Sequence, residues 1–279
     1  MYSQNNQSGI TVADHAQFIL PTATSVNIPT DDLSEDMEGL RLTFPKVKIP
    51  GGGVLQFEME SDNPERPDYV PELEGILLFN HAANAYWPEG EEYEDNTPPL
   101  CQSLNGKIGY GAPGGLCASC GFNTYGSASN GRGKACKNMR TLYLLRSGEF
   151  VPLQLSLPPT SLSPYNSFYN VVFARRQRPL YSCIIQIGLK RMSSNGYDYS
   201  VATFRKVRDL SGEELAEVKA FADTFREQIK NTLMEQAASR EMESGAVEMG
   251  DGSMELPDNE GHFSVGVGVV DGEREKLPA

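Results

Sequence analysis

The chain has only three histidines among its 279 residues. Histidine is the side chain most often used as a general base near neutral pH. Two of the three, His15 and His262, lie in the terminal segments, and His81 lies beside an apolar strand. The sequence also lacks a nucleophile elbow and a pair of acids spaced for metal-assisted hydrolysis. We therefore expect no enzymatic activity.

Long hydrophobic runs are also missing. No apolar stretch approaches the roughly 20 residues that cross a bilayer, and the first residues, MYSQNNQSGITVADH, lack the basic and apolar regions of a signal peptide. A hydrophobic content of 39% and a charged content of 22% are typical of a soluble globular protein. We expect a cytoplasmic protein without a membrane partner, in which clustered cysteines bind metal rather than form disulfides.

Acidic residues are scarce in one part of the chain, although the whole chain carries a net charge of −13. Residues 99–210 hold 3 acids against 14 Lys and Arg, which gives a net charge of +11. The flanking residues 1–98, 211–240 and 241–279 carry net charges of −14, −2 and −8. Because one region can carry a positive field while the rest keeps the molecule acidic, the overall charge does not exclude a nucleic-acid partner.

The chain has five cysteines, and four of them lie inside this basic stretch with the spacing C-x15-C-x2-C-x15-C. Four thiolates are the donor set of a closed, tetrahedral Zn²⁺ site. The sequence therefore predicts a structural zinc site at Cys101, Cys117, Cys120 and Cys136. Another metal or an iron-sulfur cluster, and unliganded or redox-active thiols, remain alternatives, and His81 could replace one cysteine. Cys183 lies in an apolar strand and is expected to be a buried thiol.

Composition divides the chain into three parts. Residues 1–35 are rich in Ser, Thr, Asn and Gln and predict a flexible N-terminal arm, and residues 238–279 predict an acidic, disordered C-terminal tail. Residues 36–237 form the predicted core domain, with the glycine-rich zinc module at 99–140.

Periodicity and turn residues predict the elements of this core. Asn195-Gly196 is a strong hairpin turn signal, Ser147-Gly148 a second turn, and Ser163-Pro164 a helix start. The apolar stripe from Leu215 to Leu233 predicts an amphipathic helix, capped by Ser211 and Glu214. The predicted strands are 40–49, 54–60, 75–80, 141–145, 150–157, 180–192 and 197–207, and the predicted helices are 163–176 and 212–237. This order predicts an α+β, mainly β fold: an OB-like curved antiparallel sheet or barrel with a four-cysteine zinc-binding insertion and a C-terminal amphipathic helix.

Aromatic residues are interleaved with the basic ones. Cations for phosphates and flat rings for bases are what a single nucleic-acid strand requires. The candidate nucleic-acid-binding residues are Lys107, Tyr110, Phe122, Tyr125, Arg132, Lys134, Lys137, Arg140, Arg175, Arg176, Arg178, Lys190, Arg191, Tyr197 and Tyr199.

The segment from Pro99 through Lys137 contains G-x-PGG-x-C-x2-C and GKACK, and LSLPPTSLSPY follows at 155–165. This segment resembles replication-associated proteins of phages and mobile elements. More distantly, a thiolate-rich module beside a basic face and before an acidic tail is similar to phage single-stranded-DNA-binding proteins with a zinc module and an OB-like fold. The resemblance implies a role in phage or mobile-element replication or recombination.

The leading hypothesis is non-enzymatic, sequence-independent binding of single-stranded DNA. The acidic tail would occupy the basic face when DNA is absent and would recruit replication or recombination proteins when DNA is bound. The alternative is a zinc-stabilised protein–protein interaction or scaffold protein. Binding of duplex DNA or RNA, and an unrecognised enzymatic activity, are weaker alternatives.

Overall fold

The computed structural model describes residues 18–20, 44–63, 65–88, 97–194 and 196–245, with side chains described as far as residue 234. The predicted acidic tail lies almost entirely outside these residues, as does most of the predicted N-terminal arm. Within that arm, Phe18 is buried, and the backbone N–H of Ile19 donates to Ser147 Oγ at 3.0 Å. No helix in the described ranges is long and apolar enough to span a membrane.

The described chain is a mixed α+β structure in which strands predominate. The strands are β1 (Lys46–Lys48), β2 (Phe57–Met59), β3 (Asp68–Val70), β4 (Leu73–Tyr86), β5 (Cys101–Ser103), β6 (Ile108–Gly111), β7 (Gly115–Leu116), β8 (Lys137–Leu145), β9 (Leu153–Leu157), β10 (Cys183–Ser194) and β11 (Tyr197–Asp209). The helices are α1 (Pro159–Val172) and α2 (Gly212–Gly245), and short 3-10 turns occupy 121–123, 174–176 and 180–182.

The long strand β4 organises the main sheet. One edge of β4 pairs with β8 along most of its length, in antiparallel register from Ile76↔Leu145 to Ala85↔Lys137. The other edge is shared, because its first residues pair with β10 and its last residues pair with β5. Strands β6 and β7 extend the sheet beyond β5, and β2 and β3 form a separate two-stranded sheet. The cysteine module therefore continues the far end of the sheet.

The main sheet is large but does not close into a barrel. Its path runs β1-β9-β8-β4-β10-β11, and β1 pairs with β9 in parallel at the register Val47↔Leu155. At the other end, the N–H of Ala202 in β11 donates to Ser161 Oγ of α1 at 3.0 Å. The edge strands of this path are therefore β1 and β11. Among the described residues β1 pairs only with β9, and β11 pairs only with β10 and contacts α1, so the two edge strands do not pair with each other. Of the two predicted forms, a curved antiparallel sheet or a barrel, the described residues form an open sheet, which contains one parallel pair.

Hydrophobic clusters cover the two faces of the sheet. One face packs Leu142 and Leu144 of β8 against Tyr165 of α1 and Phe173, which follows that helix. The opposite face packs Tyr143 and Leu145 against the buried stripe of α2, which consists of Val218, Ala222, Phe225 and Ile229. The alternation along β8 thus serves both cores, as a strand buried on two faces requires. The predicted amphipathic helix is confirmed, although α2 extends to Gly245.

Helix α1 begins earlier than predicted. It starts at Pro159 rather than at Ser163, so Pro164 lies inside the helix and not at its first position. A proline at the first helical position leaves no hydrogen bond unmade and has a φ suited to a helix. Pro159 supplies that start, and Ser161 N–H donates to the carbonyl of Pro158 at 2.9 Å. The helix also ends at Val172, before the predicted end at 176.

The two predicted hairpins are present. Strands β8 and β9 pair antiparallel from Arg140↔Leu157 to Leu144↔Leu153, with a longer connection than predicted. Strands β10 and β11 pair to Ser194↔Tyr197, which leaves two residues for the turn, and Gly196 has the positive φ of +80° that such turns favour. Asn195 lies outside the described residues. The predicted strands 40–49 and 54–60 are shorter than expected in the described chain, whereas 75–80 is the middle of the longer β4.

Candidate metal centre and basic surface

The cysteine module is residues 99–140, and both of its ends are anchored on the last residues of β4. Cys101 pairs with Tyr86, and Lys137, which follows Cys136, pairs with Ala85. The first and last cysteines of the spacing are therefore brought to opposite edges of one strand. Sheet pairing closes the module, although its ends are far apart in sequence.

Backbone hydrogen bonds position the inner pair of cysteines. The N–H of Cys117 donates to the carbonyl of Lys107 at 2.8 Å, and the side-chain amide of Asn123 donates to the carbonyl of Cys117 at 2.8 Å. The N–H of Cys136 donates to the carbonyl of Phe122 at 2.8 Å. These bonds tie the C-x2-C turn both to the β5–β7 strands and to the start of β8.

All five cysteines are free thiols, and the four of the module line one small cavity. Gly109 forms part of its wall, because a Cβ added there would lie 2.9 Å from Cys101 Sγ and 3.8 Å from Cys117 Sγ. The backbone N–H of Gly114 donates to the sulfur of Cys101. A glycine-rich wall lets the backbone approach the sulfurs closely.

The electrostatics of the cavity disfavour thiolates in the absence of a cation. Burial raises the pKa of Cys136 to about 11, and the neighbouring Cys117, Cys120 and Cys101 contribute to the rise. Burial also raises the pKa of Cys101, with smaller contributions from Cys117 and Cys120. Within the described ranges, no three His, Cys, Asp or Glu side chains are arranged, as placed, in a geometry that could hold a metal ion. The four thiols thus share a cavity without being in coordination geometry.

His81, which the sequence offered as a replacement ligand, does not line the cysteine cavity. Its ring nitrogens lie 3.0 Å from the carbonyl oxygen of Ala82 and 3.3 Å from the hydroxyl of Tyr143. Burial lowers its pKa, and the charge of Arg140 lowers it further. The thiols of the module are therefore the only ligand-type groups around that cavity in the described chain.

Two aromatic rings cover the cysteine cavity. Tyr86 of β4 and Phe122 of the module stack with ring centroids 4.3 Å apart and an interplanar angle of 18°. Phe122 is partly exposed, at 37%. The sequence singled out Phe122 but not its partner Tyr86, because the two are far apart in the chain.

One cluster of predicted nucleic-acid residues is assembled beside the cysteines. Tyr125 is 81% exposed, and Lys134 Nζ lies 5.9 Å from its ring centroid. Lys134 also donates to Asn123 Oδ1 at 3.1 Å, and Lys137 donates to the carbonyl of Lys134 at 3.4 Å. The side chain of Arg132 is exposed on the same loop. A ring and several cations thus lie together on the surface of the module.

An asparagine network joins this cluster to the sheet. Asn138 Nδ2 donates to Asn123 Oδ1 at 2.9 Å and to Asn84 Oδ1 at 2.8 Å, and Asn84 donates to the carbonyl of Gly106. Sequence reasoning missed these residues, since isolated asparagines carry no spacing signal. The network fixes the module to the end of β4 through polar contacts.

Other predicted cations are held by protein groups. Arg140 donates to Asn80 and lies 5.9 Å from the ring of Tyr165. Arg191 donates to the carbonyl of Gly53 at 3.0 Å. Arg178 pairs with Asp209 at 2.5 Å. These three side chains already have structural partners.

The remaining predicted residues lie on separate elements. Arg175 and Arg176 are exposed in the 3-10 turn after α1, and Lys190 is exposed on β10. Tyr197 is 79% exposed at the tip of the β10–β11 hairpin, and Tyr199 is half-buried. In the module, Lys107 is exposed and Tyr110 is half-buried. The candidates therefore divide between the module, the turn after α1 and the hairpin.

Comparison with known proteins assigns neither a family nor a function to the chain. The chain matches no protein-family model, no curated protein and no solved structure. Function is accordingly inferred from the geometry and chemistry of these residues.

Proposed function

We propose that this protein binds single-stranded DNA without catalysis and without sequence preference. The observation that carries the proposal is the position of its two most exposed described rings, Tyr125 at 81% and Tyr197 at 79%. Both lie in the segment of net charge +11, and Tyr125 has Lys134 beside it. Exposed rings offer sequence-tolerant stacking to bases, and nearby cations offer contacts to phosphates.

Four side chains are best placed to contact phosphate. Arg132, Arg175, Arg176 and Lys190 are exposed and have no side-chain partner among the residues that the structure describes. A cation without an acidic partner can meet a phosphate without first breaking an ion pair. Arg140, Arg178 and Arg191 would contribute less, because binding DNA would require them to leave their present partners.

We also propose that Cys101, Cys117, Cys120 and Cys136 hold a structural Zn²⁺. The donor set fits zinc, and the four cysteines line one small cavity. The ion would offset the repulsion between thiolates and hold together a loop with little hydrophobic core. With four protein ligands, zinc would have no open position for a substrate.

The strand connectivity supports an open OB-like core. Strands β4, β8 and β9, then α1, then β10 and β11 follow one another, and β10 returns to pair with β4. In this arrangement the cysteine module is the connection between the first two strands, and the β10–β11 turn is the connection between the last two. OB-type folds bind oligonucleotides with these two connections. The exposed cations and rings of the module and hairpin would then lie along one binding path.

The test is fluorescence anisotropy with a labelled oligo-dT of about 30 nucleotides, across a salt series and with duplex DNA as competitor. We expect binding that weakens as the salt concentration rises and that duplex does not displace. The double variant Arg132→Gln/Arg176→Gln should weaken binding. The matched control Arg66→Gln/Lys219→Gln removes two exposed charges from the β2–β3 connection and the start of α2 and should not weaken it beyond a general charge effect. Absence of binding at low salt in zinc-loaded protein would refute the proposal.

A zinc-stabilised interaction or scaffold protein is the second candidate. Leu116 is 64% exposed and lines an open groove with Pro113 and Phe122 on the module. A chain ending at Arg240, which lacks the acidic residues 241–279, separates the candidates. A DNA-binding protein with a competing tail should bind oligo-dT more tightly after truncation, and the tail would be the segment that recruits replication or recombination proteins. A scaffold protein should show no DNA response in either form.

A further inference from the structure

A second cavity lies on the opposite side of the sheet end from the cysteines, under the distal part of α2. Its volume is about 180 Å³. This is smaller than the roughly 300–1,000 Å³ of pockets that take drug-sized ligands, and it suits a group of the size of one ring system. Strands β4, β8 and β9 form the floor, and Ile229, Thr232 and Leu233 of α2 form one wall. Neither the zinc site nor the exposed cations account for this cavity.

The lining is aromatic and uncharged. Four rings border the cavity, those of Phe44, His81, Trp87 and Tyr143, and no Lys, Arg, Asp or Glu is among the described lining residues. Burial lowers the pKa of His81, so this ring is neutral at physiological pH. A charged group placed inside would lose hydration without gaining a partner of opposite charge. The cavity therefore favours a flat, uncharged ligand.

Apart from the ring nitrogens of His81 and Trp87, the polar side-chain groups of the cavity are amides and hydroxyls. On adjacent strands, Tyr143 pairs with Gln154 and Thr141 pairs with Ser156, so these four side chains share one face of the sheet. The side-chain amide of Gln154 makes no hydrogen bond to any residue in the described ranges. An amide presents a donor and an acceptor side by side, which matches the edge of a nucleobase. The aromatic rings of the lining can therefore contact the flat face of a base, and the amide can hydrogen-bond the edge of that base.

A cation lies at the edge of the cavity. Lys137 pairs with Ala85, a lining residue, and lies two residues before Met139, another lining residue, on the same face of β8. Lys137 is exposed. Its ammonium donates to the carbonyl of Lys134 at 3.4 Å, and a phosphate in solvent would replace this contact while the attached base enters the uncharged cavity.

We propose that this cavity receives one nucleobase of the bound single strand, held against its aromatic lining and hydrogen-bonded by the amide of Gln154. The inference rests on the proposed function, since it assigns a base-binding site to the same single-stranded ligand. It differs from stacking on the exposed Tyr125 and Tyr197, because the base would leave solvent.

Trp87 provides a direct probe, because it is the only tryptophan in the chain and lines the cavity. The zinc-loaded protein is titrated with oligo-dT and with an abasic strand of equal length, which keeps the sugars and phosphates. Anisotropy reports binding, and Trp87 fluorescence reports occupancy of the cavity. We expect oligo-dT to change the fluorescence of Trp87. The abasic strand should bind more weakly and leave that fluorescence unchanged.

Filling the cavity tests the same site by mutation. Thr232→Phe adds a ring from the α2 wall, and the matched control Asn231→Phe adds the same ring at the neighbouring, exposed helix position. Thr232→Phe should abolish the Trp87 response and weaken oligo-dT binding roughly ten-fold, the scale of one lost base contact, whereas Asn231→Phe should do neither. Gln154→Leu should weaken binding in the same direction without filling the cavity, and thermal unfolding of each variant checks that it folds.

The outcomes separate this inference from the proposed function. If oligo-dT binds by anisotropy while Trp87 does not respond and Thr232→Phe binds like the unmodified protein, the base site is wrong and the DNA-binding function stands. If oligo-dT does not bind at low salt, both are refuted.

Discussion

Replacing Gly109 with alanine should weaken the proposed binding of zinc by the cysteine module. Gly109 lies in β6 opposite Gly115, and a Cβ added at Gly109 would lie 2.9 Å from Cys101 Sγ and 3.8 Å from Cys117 Sγ. The first distance is shorter than carbon–sulfur contacts allow, and the second is ordinary. The new methyl group therefore acts mainly on Cys101.

The size of the disturbance follows from these distances. To restore an ordinary contact of about 3.4 Å from 2.9 Å, the sulfur must move by about 0.5 Å. When zinc binds, each ligand distance must come within about 0.2 Å of its preferred value, and the added methyl group restricts the positions that Cys101 Sγ can take. Cys101 lies in β5, paired with Tyr86 on one side and Gly111 on the other, so its backbone cannot easily follow the sulfur. We expect zinc affinity to fall by about 10- to 100-fold, as it does when groups that orient a ligand are altered.

The assay is competition for Zn²⁺ with a chromophoric chelator, on protein whose zinc content is one ion per chain at the start. The matched control is Gly121→Ala, which makes the same substitution beside Cys120. No atom lies within 4 Å of a Cβ added at Gly121, and its backbone does not have a positive φ. Gly121→Ala should therefore keep the affinity of the unmodified protein.

Two results would refute the reasoning in different ways. If Gly109→Ala holds zinc as tightly as Gly121→Ala, the sulfur of Cys101 is not a ligand whose position matters. If the unmodified protein takes up no zinc, the four thiols form no zinc site, and the alternatives of another metal or of free thiols return.

Three further outcomes are expected. Phe225→Ala should lower the free energy of unfolding by about 3–5 kcal/mol in urea titrations, because Phe225 is 5% exposed and packs edge-on against Phe44 and Tyr143; a loss below about 1 kcal/mol would contradict the packing of α2 on the sheet. Lys206 and Arg178 lower the pKa of Asp209, so its stabilising effect is present above the unfolded-state pKa of about 3.9 and is lost as the pH falls through the folded-state pKa. Asp209→Asn should therefore cost under about 1 kcal/mol at neutral pH, since the pair is exposed, and nothing in strong acid; an equal cost at both pH values would refute this. Removing zinc with a chelator should expose residues 99–140 to protease before the rest of the described chain, and equal cleavage with and without chelator would contradict a structural metal.

Local signals predicted those elements whose stabilising contacts follow the chain. The apolar stripe of α2 has the helical period, and the structure buries Val218, Ala222, Phe225 and Ile229 against the sheet. The Asn195-Gly196 pair predicted the β10–β11 hairpin, because a two-residue turn of this kind favours antiparallel pairing. In both cases a few adjacent residues contain the physical cause.

Elements with distant partners were predicted less well. Strand β4 runs from Leu73 to Tyr86, yet its second half contains Asn80, His81 and Asn84 and has no strand-like alternation. Its length depends on pairing with β5 and β8, which lie on either side of the cysteine module. The start of α1 was misplaced because LPPTSLSP offers two proline starts, and the sequence alone does not choose between Pro159 and Pro164.

In the candidate site, too, local sequence signals predicted some residues, whereas residues that act through distant contacts were missed. Cysteine spacing alone was enough to group Cys101, Cys117, Cys120 and Cys136, which line one cavity. The groups around them could not be predicted, because Gly109 matters only through its distance to a sulfur and Asn123 only through contacts with distant residues. The cavity beside Trp87 is formed by α2 crossing a sheet face, which no local pattern encodes.

The distribution of ion pairs shows which part of the positive charge is available to a polyanion. Glu149 pairs with Arg146, Asp209 pairs with both Arg178 and Lys206, and Glu214 of α2 pairs with Arg208. These pairs lie at the β8–β9 turn and at the base of the β10–β11 hairpin, near the hydrophobic cores. Within residues 99–210, four exposed cations have neither an ion pair nor a side-chain hydrogen bond in the described chain, and they lie on the module, on the turn after α1 and farther along β10: Arg132, Arg175, Arg176 and Lys190. Each phosphate contact to a single strand adds about 0.7 to the slope of log affinity against log salt concentration. These few cations therefore predict a smaller slope than the net charge of +11 suggests.

Stacking on exposed rings, which salt affects little, would then supply much of the affinity. This makes Tyr125 and Tyr197 as important to the proposed function as the cations around them.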